Sequence, residues 1–239
     1  MRVRFPEMFC KQGREKRLSV SMEEKEDEFL FARWRMVEKD LKGKGIKDER
    51  VLGAMGRVPR EEFLPQAYAE KAYADGPLPI GMGQTISQPY IVALMTQELN
   101  VEAECAVLEI GTGCGYQTAV LSTLAKKVYT AERFSALSEA AQAVLGRLEI
   151  RNVEFYIGDG SRGWPENRTF DRVMITAAVP QIPEPVVEQL AEGGIIVAPV
   201  GGPMMQNLVV GTKRGGELKT EVVCGCRFVR LVGDYGFDE

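Results

Sequence analysis

From Phe29 onward the apolar residues recur at helical spacing, with Phe29, Leu30, Trp34, Val37 and Leu41 near one face. Gly43 and Gly45 end that helix, and Asp48 stands as the N-cap of a second, short helix running through Met55. Residues 57–83 are rich in proline and glycine and read as extended or turn-like. Their aromatics Phe63, Tyr68 and Tyr73 are too many for a mere linker. A regular alternation follows. Strands are predicted at 106–110, 128–131, 153–157, 170–176 and 194–200. Helices are predicted at 116–125, 135–148 and 183–190, the last with a proline at its first turn. Residues 208–213 and 217–223 flank Arg214-Gly215-Gly216 and read as a hairpin. Strands alternating with helices build βαβ units. The prediction is an α/β fold: a Rossmann-like, doubly wound, mostly parallel sheet with helices on both faces. An N-terminal helical segment precedes it and a C-terminal antiparallel hairpin closes it.

Composition narrows the function more than the fold. The chain has 239 residues, 45% hydrophobic and 27% charged, which excludes collagen-like, mucin-like and wholly disordered readings. Residues 1–28 run from basic to acidic, bury little and are expected to be a disordered extension. The net charge of −4 gives no global attraction to nucleic acid or to anionic membrane, so neither is expected as a partner. There is no histidine, which excludes Ser-His-Asp triads, Cys-His dyads and His-ligated metal sites; no metal site is expected. The five cysteines, Cys10, Cys105, Cys114, Cys224 and Cys226, form no CxxC and point to reduced thiols. No apolar run approaches the ~18 residues of a membrane span, and no secretory h-region follows Arg2 and Arg4. A cytoplasmic location is expected.

Candidate chemistry gathers at strand ends. The first core strand runs into Glu109-Ile-Gly111-Thr-Gly113-Cys-Gly115-Tyr116 and then a helix. Such a turn brings backbone N–H groups against an anionic or polar ligand at the carboxyl edge of a parallel sheet. A dinucleotide fingerprint would place a third glycine at 116, where tyrosine stands. The second strand ends at Glu132, whose carboxylate can accept both hydroxyls of a ribose, unless it is a plain solvated strand end. The third ends at Gly158-Asp159-Gly160. Asp159 can accept from an adenine amino group there, or the three residues form an ordinary turn.

An acid-x-Gly-x-Gly-x-Gly turn, an acid after the second strand and an acid after the third resemble the class I S-adenosylmethionine-dependent methyltransferases. The segments VPREEFLP (58–65), YADGPLPIG (73–81), GQTISQPY (83–90), VLEIGTGCGYQTAVL (107–121), FDRVMITAA (170–178), QLAEGGIIVAPVG (189–201) and CRFVRL (226–231) are similar to those of the protein-L-isoaspartate O-methyltransferase family. The likeness spans about 37–231 in family order. It implies methylation of the free α-carboxylate of L-isoaspartyl residues in damaged proteins and peptides, with S-adenosyl-L-methionine as donor. The ester then closes spontaneously to a succinimide. By this resemblance Ser87 is the active-site residue, and Thr85 and Ile86 line the same site on the cofactor side. Glu109, Gly111, Gly113, Glu132, Asp159 and Gly160 match cofactor-binding positions. Residues 29–85 become the helical, substrate-side segment, 86–235 the cofactor-binding core, and a monomer is expected.

The chemistry suits a chain without histidine. A sulfonium methyl is already activated and a carboxylate is already a nucleophile, so the step needs alignment more than proton transfer. Ser87 would then orient the acceptor carboxylate rather than attack, since no base can activate it. Serine is also a favoured cap, and a helix starting at Gln88 or Pro89 would allow Ser87 that role. Two positions depart from the family pattern: Arg230 replaces the usual proline, and Cys114 replaces a small residue such as serine. Three competing readings are a relative that methylates ordinary aspartates of a dedicated partner peptide, a nicotinamide-dependent oxidoreductase, and a non-enzymatic binding module. The first typically carries a long extra C-terminal region, and Tyr116 argues against the second.

Overall fold

The computed structural model describes residues 22–239. Most of the expected disordered extension therefore lies outside the described residues. Its last part, 22–28, is helical instead: helix α1 spans Met22–Arg35, ahead of the predicted start at Phe29. A π-helical turn, Met36–Leu41, follows, and Gly45 in the left-handed region ends the run. The wider π turn breaks the 3.6-residue phase. Met36, Val37 and Leu41 consequently face the core, while Leu30 and Trp34, expected on the same face, are about half exposed (53% and 48%). Arg33 takes the inward place on α1, donating to the Tyr73 hydroxyl at 2.7 Å and to Glu61 at 2.8 Å.

Helix α2, Glu49–Arg57, is capped as predicted: the Asp48 carboxylate accepts from Arg50 N at 2.9 Å. The stretch read as extended holds two 3-10 turns, Arg60–Phe63 and Gln66–Lys71. Its end forms a hairpin, β1 (Leu78–Gly81) within the stretch and β2 (Gln84–Ile86) just beyond it. Both residues of its tight turn, Met82 and Gly83, have positive φ, as such a two-residue connection requires. Helix α3 (Pro89–Leu99) then leads to the core.

The core elements are β3 (Ala106–Ile110), α4 (Tyr116–Ser122), β4 (Lys127–Glu132), α5 (Ser135–Arg147), β5 (Val153–Ile157), β6 (Phe170–Ile175), α6 (Glu184–Glu188), β7 (Leu190–Gly201), β8 (Gln206–Arg214) and β9 (Glu217–Cys226). They form one sheet of order β5-β4-β3-β6-β7-β8-β9. Its first five members pair in parallel, and β7–β8 and β8–β9 pair antiparallel. Successive strand residues enter different cores, because side chains alternate across a sheet. Val107, Met174 and Val197 pack with the N-terminal segment, α3 and α4; Leu108, Val173 and Ile196 pack on the other face with Trp164, Phe170 and Val186. The N-terminal segment and the sheet thus share one hydrophobic core. The chain order reverses between β3 and β6, opening a crevice at their carboxyl ends. No helix among the described residues is long and apolar enough to cross a membrane.

Candidate active site

Strand β2 delivers Thr85, buried Ile86 and Ser87 to the crevice. The N-cap of α3 is Gln88, with no side-chain cap bond, and Pro89 opens the helix. Ser87 is therefore not the cap. No hydrogen bond from its hydroxyl is seen among the described residues, and its carbonyl accepts from Arg60 Nη2 at 2.7 Å.

The glycine loop between β3 and α4 passes under the end of β6. Gly111 has φ of 102°, and a Cβ there would lie 2.3 Å from Thr176 Oγ1, so only glycine fits. The loop spends most of its own amides. Gly111 and Thr112 donate to the Ala131 carbonyl, Gly115 donates to Thr112, and Gly113 N donates to Glu132 Oε2 at 2.9 Å. The other oxygen of Glu132 accepts from Phe134 N at 3.0 Å. Each oxygen keeps a lone pair, so this buried carboxylate is oriented but not used up. A pyrophosphate cradle needs loop amides turned outward, and four of those between 111 and 115 are turned inward. The loop fits an uncharged nucleoside moiety better than a dinucleotide.

Ser87, Thr85, Gly111, Gly113, Glu132 and Gly160 all line one cavity of about 160 Å³, with Ile86. A second groove contains Gln88, Cys226 and Arg227, and the two meet at Thr85, Ser87, Thr176, Phe228 and Val229. Thr176, Phe228 and Val229 received no role from the sequence, although two of the family-like segments contain them. Gln206, 2% exposed, fixes Phe228: its side chain accepts from Phe228 N at 2.9 Å and donates to the Gly202 carbonyl at 2.6 Å.

Glu109 and Asp159 are not among the lining residues of that cavity. Glu109 is fully buried behind the loop, where Oε2 accepts from Thr118 Oγ1 at 2.5 Å and Thr130 Oγ1 at 2.7 Å while Oε1 has no partner among the described residues. Burial pushes its pKa up to about 7. Asp159 is bonded to the C-terminal segment and lines a neighbouring groove with Arg133 and Gly158. Oδ1 accepts from Ser161 N and Oγ, and Oδ2 accepts from Asp234 N at 2.9 Å. Burial raises its pKa, but the bonds from Ser161 and Asp234 outweigh this and hold it below the usual carboxylate value. The close approach depends on Gly233, where a Cβ would collide with Asp159.

The two departures from the family pattern have simple settings. Arg230 forms a parallel bridge with Ala178, whose hydrogen bonds use the Val229 carbonyl and the Leu231 amide. The amide of residue 230 is outside the bridge, so proline and arginine serve it equally. Cys114 is half-buried and lines the same cavity, and burial pushes its thiol up to about 11.

A switch-point cavity, an oriented acid at the end of β4 and an inward-bonded glycine loop define a Rossmann-type protein with a site suited to a nucleoside-containing ligand. The family model described as protein-L-isoaspartate(D-aspartate) O-methyltransferase matches residues 33–236, and the chain belongs to that family. The protein-L-isoaspartate O-methyltransferase of Syntrophus aciditrophicus is 49% identical over 88% of this chain and 98% of its own length. That of Geobacter metallireducens is 51% identical over 87% of this chain and 97% of its own. Among solved structures, a protein-L-isoaspartate O-methyltransferase superposes with a TM-score of 0.76 at 32% identity, covering 85% of this chain and 67% of that one. A Plasmodium falciparum structure of the same description, in complex with S-adenosyl-L-homocysteine, superposes with a TM-score of 0.74 at 26% identity, covering 84% of this chain and 98% of that one.

Proposed function

We propose that this chain repairs damaged proteins, transferring a methyl group from S-adenosyl-L-methionine to the free α-carboxylate of L-isoaspartyl residues. Family membership carries the activity. One observation carries the assignment of parts: the cavity beside the glycine loop and the groove beside Cys226 and Arg227 meet at Ser87. The cofactor, when bound, supplies a methyl group already activated on a sulfonium. The acceptor carboxylate, with an ordinary pKa of about 3.3–3.7, is ionised well below neutrality. What remains for the protein is alignment, which can supply several kcal/mol of the barrier.

In this reading Glu132, held by the Gly113 and Phe134 amides, accepts from the ribose hydroxyls. Gly111, Gly113 and Gly160 keep the cavity wall low enough for close approach, and Thr85 and Ile86 close it from the β2 side. Glu109 shapes the loop from behind through Thr118 and Thr130. Ser87 donates its hydroxyl to the acceptor carboxylate from the junction of the two spaces. A monomeric enzyme in the cytoplasm, without nucleic-acid or membrane partners, accords with the net charge of −4 and the absence of CxxC pairs. An ordinary-aspartate substrate is not favoured, because curated relatives near 50% identity are protein-L-isoaspartate O-methyltransferases almost end to end.

The decisive test compares methyl transfer to one peptide carrying isoaspartate and to the same peptide carrying aspartate. Transfer to the isoaspartyl form alone is expected. Equal transfer to both, or transfer to aspartate only, sinks the reading. S-adenosylhomocysteine should also raise the melting temperature by mass action, and NAD should not.

A further inference from the structure

The hydroxyl of Ser87 can orient a substrate only if its loop is held at a set distance from the cofactor side. The loop's backbone anchor is unusual. Arg60, the first residue of the 3-10 turn after Pro59, has 0% of its surface exposed and pairs with no carboxylate among the described residues. Its Nε donates to the Ala72 carbonyl at 2.7 Å and its Nη2 to the Ser87 carbonyl at 2.7 Å. Its guanidinium carbon lies 4.8 Å from the centroid of the Tyr116 ring, and Nη1 has no partner among the described residues. Tyr116 is the first residue of α4, directly after the glycine loop. The ring is also wedged edge-to-face against Phe63, on the same 3-10 turn as Arg60.

Burying a cation without a carboxylate opposes folding, and here burial also pulls the Arg60 pKa down. A lysine or a methionine could occupy much of the same volume. A planar guanidinium sets Nε and Nη2 in a fixed fork on two carbonyls from separate segments and still packs against the Tyr116 ring; a lysine has no such fork and a methionine no donor.

We propose that Arg60 is a positioning residue for methyl transfer: by tying the Ser87 carbonyl to the Tyr116 ring, it sets the acceptor loop against the glycine loop. This rests on the reading of Ser87 as the residue that orients the substrate. Arg60 touches neither reactant, so its loss should misplace the acceptor without emptying the cofactor site. A misplacement of about 1 Å can cost about 10²-fold in rate.

The test measures single-turnover methyl transfer to an isoaspartyl peptide at saturating peptide and S-adenosylmethionine, beside S-adenosylhomocysteine affinity. Arg60→Lys is expected to bind S-adenosylhomocysteine within about threefold of the parent and to transfer methyl about 10–10²-fold more slowly. In Arg60→Ala, added methylguanidinium is expected to recover part of the rate, which a general loss of folding would not allow. An Arg60→Lys enzyme at the parent's rate overturns the proposal. So does a rate that falls only in step with S-adenosylhomocysteine binding. If both variants fail to fold, Tyr116→Leu removes the stacking half of the tie: a slow step with binding retained supports the proposal, and an unchanged rate overturns it. Ser87→Ala separates the two readings. A slow Ser87→Ala beside a full-speed Arg60→Lys overturns the tie and leaves the serine its role. A full-speed Ser87→Ala takes the role from the hydroxyl and overturns the proposal that rests on it, whatever the rate of Arg60→Lys.

Discussion

At the scale of single residues, Ser87 and Glu109 make different kinds of demand on the fold. Ser87 gives up no hydrogen bond seen among the described residues and caps no helix. Ser87→Ala should therefore change stability by less than about 0.5 kcal/mol. Methyl transfer should fall about 10–10²-fold, from loss of one hydrogen bond of about 1.5–3 kcal/mol to a charged acceptor. A thermal melt and a single-turnover rate on the same preparation check both halves. Glu109 instead carries a folding cost. With a pKa of about 7 in the fold against 4.5 for the free side chain, the folded chain holds a proton that the unfolded chain has released. Stability should therefore fall as pH rises through that window, by on the order of 3 kcal/mol from this group. Urea midpoints at pH 5 and pH 8 should show that fall in the parent and a smaller one in Glu109→Gln; equal slopes would contradict it. The transfer step itself has no proton to remove. A flat single-turnover profile from about pH 5.5 to 8 is expected, with Glu109 the first suspect for any limb near neutrality.

Among elements, the C-terminal segment after Leu231 is the one whose role changed most. It is held by Asp159 and Ser161, which accept from the Asp234 and Tyr235 amides. Asp159→Ala should speed hydrogen exchange at those two amides and lower stability by about 1–3 kcal/mol. Weaker S-adenosylhomocysteine binding with exchange unchanged would favour an adenine contact instead. The core strands and their helices were legible from periodicity because each is a continuous apolar run or stripe bounded by turn residues. The β1–β2 hairpin was not. Its strands are four and three residues long, too short for a period, and its turn opens with Met82, which carries no signal for positive φ. The π turn at Met36–Leu41 was equally silent, since nothing in a row of apolar residues marks where a helix widens.

On the scale of the whole molecule, an α/β fold with a parallel core and an antiparallel end could be read from the chain, because alternating short strands and helices admit few other arrangements. The absence of histidine excluded imidazole-based mechanisms before any geometry was known. The glycine spacing, with Tyr116 at the place of a third fingerprint glycine, already spoke against a dinucleotide. Other matters required the folded chain. Asp159 and Glu132 follow neighbouring strands in much the same way. Only packing decided that Glu132 lines the cavity while Asp159 holds the chain end. Of the two starts the sequence allowed, Pro89 is the one taken, which makes Gln88 the cap and leaves Ser87 outside the helix. Arg60 stands 27 residues before Ser87 and its guanidinium is bonded to that residue's carbonyl. Local pattern reports which face of an element is apolar and where an element stops, because those are decided by neighbours in sequence. Which polar group meets a ligand, and which spends its hydrogen bonds inside, is decided by residues far away in the chain, and that pairing exists only once the sheet and the N-terminal segment close on one another.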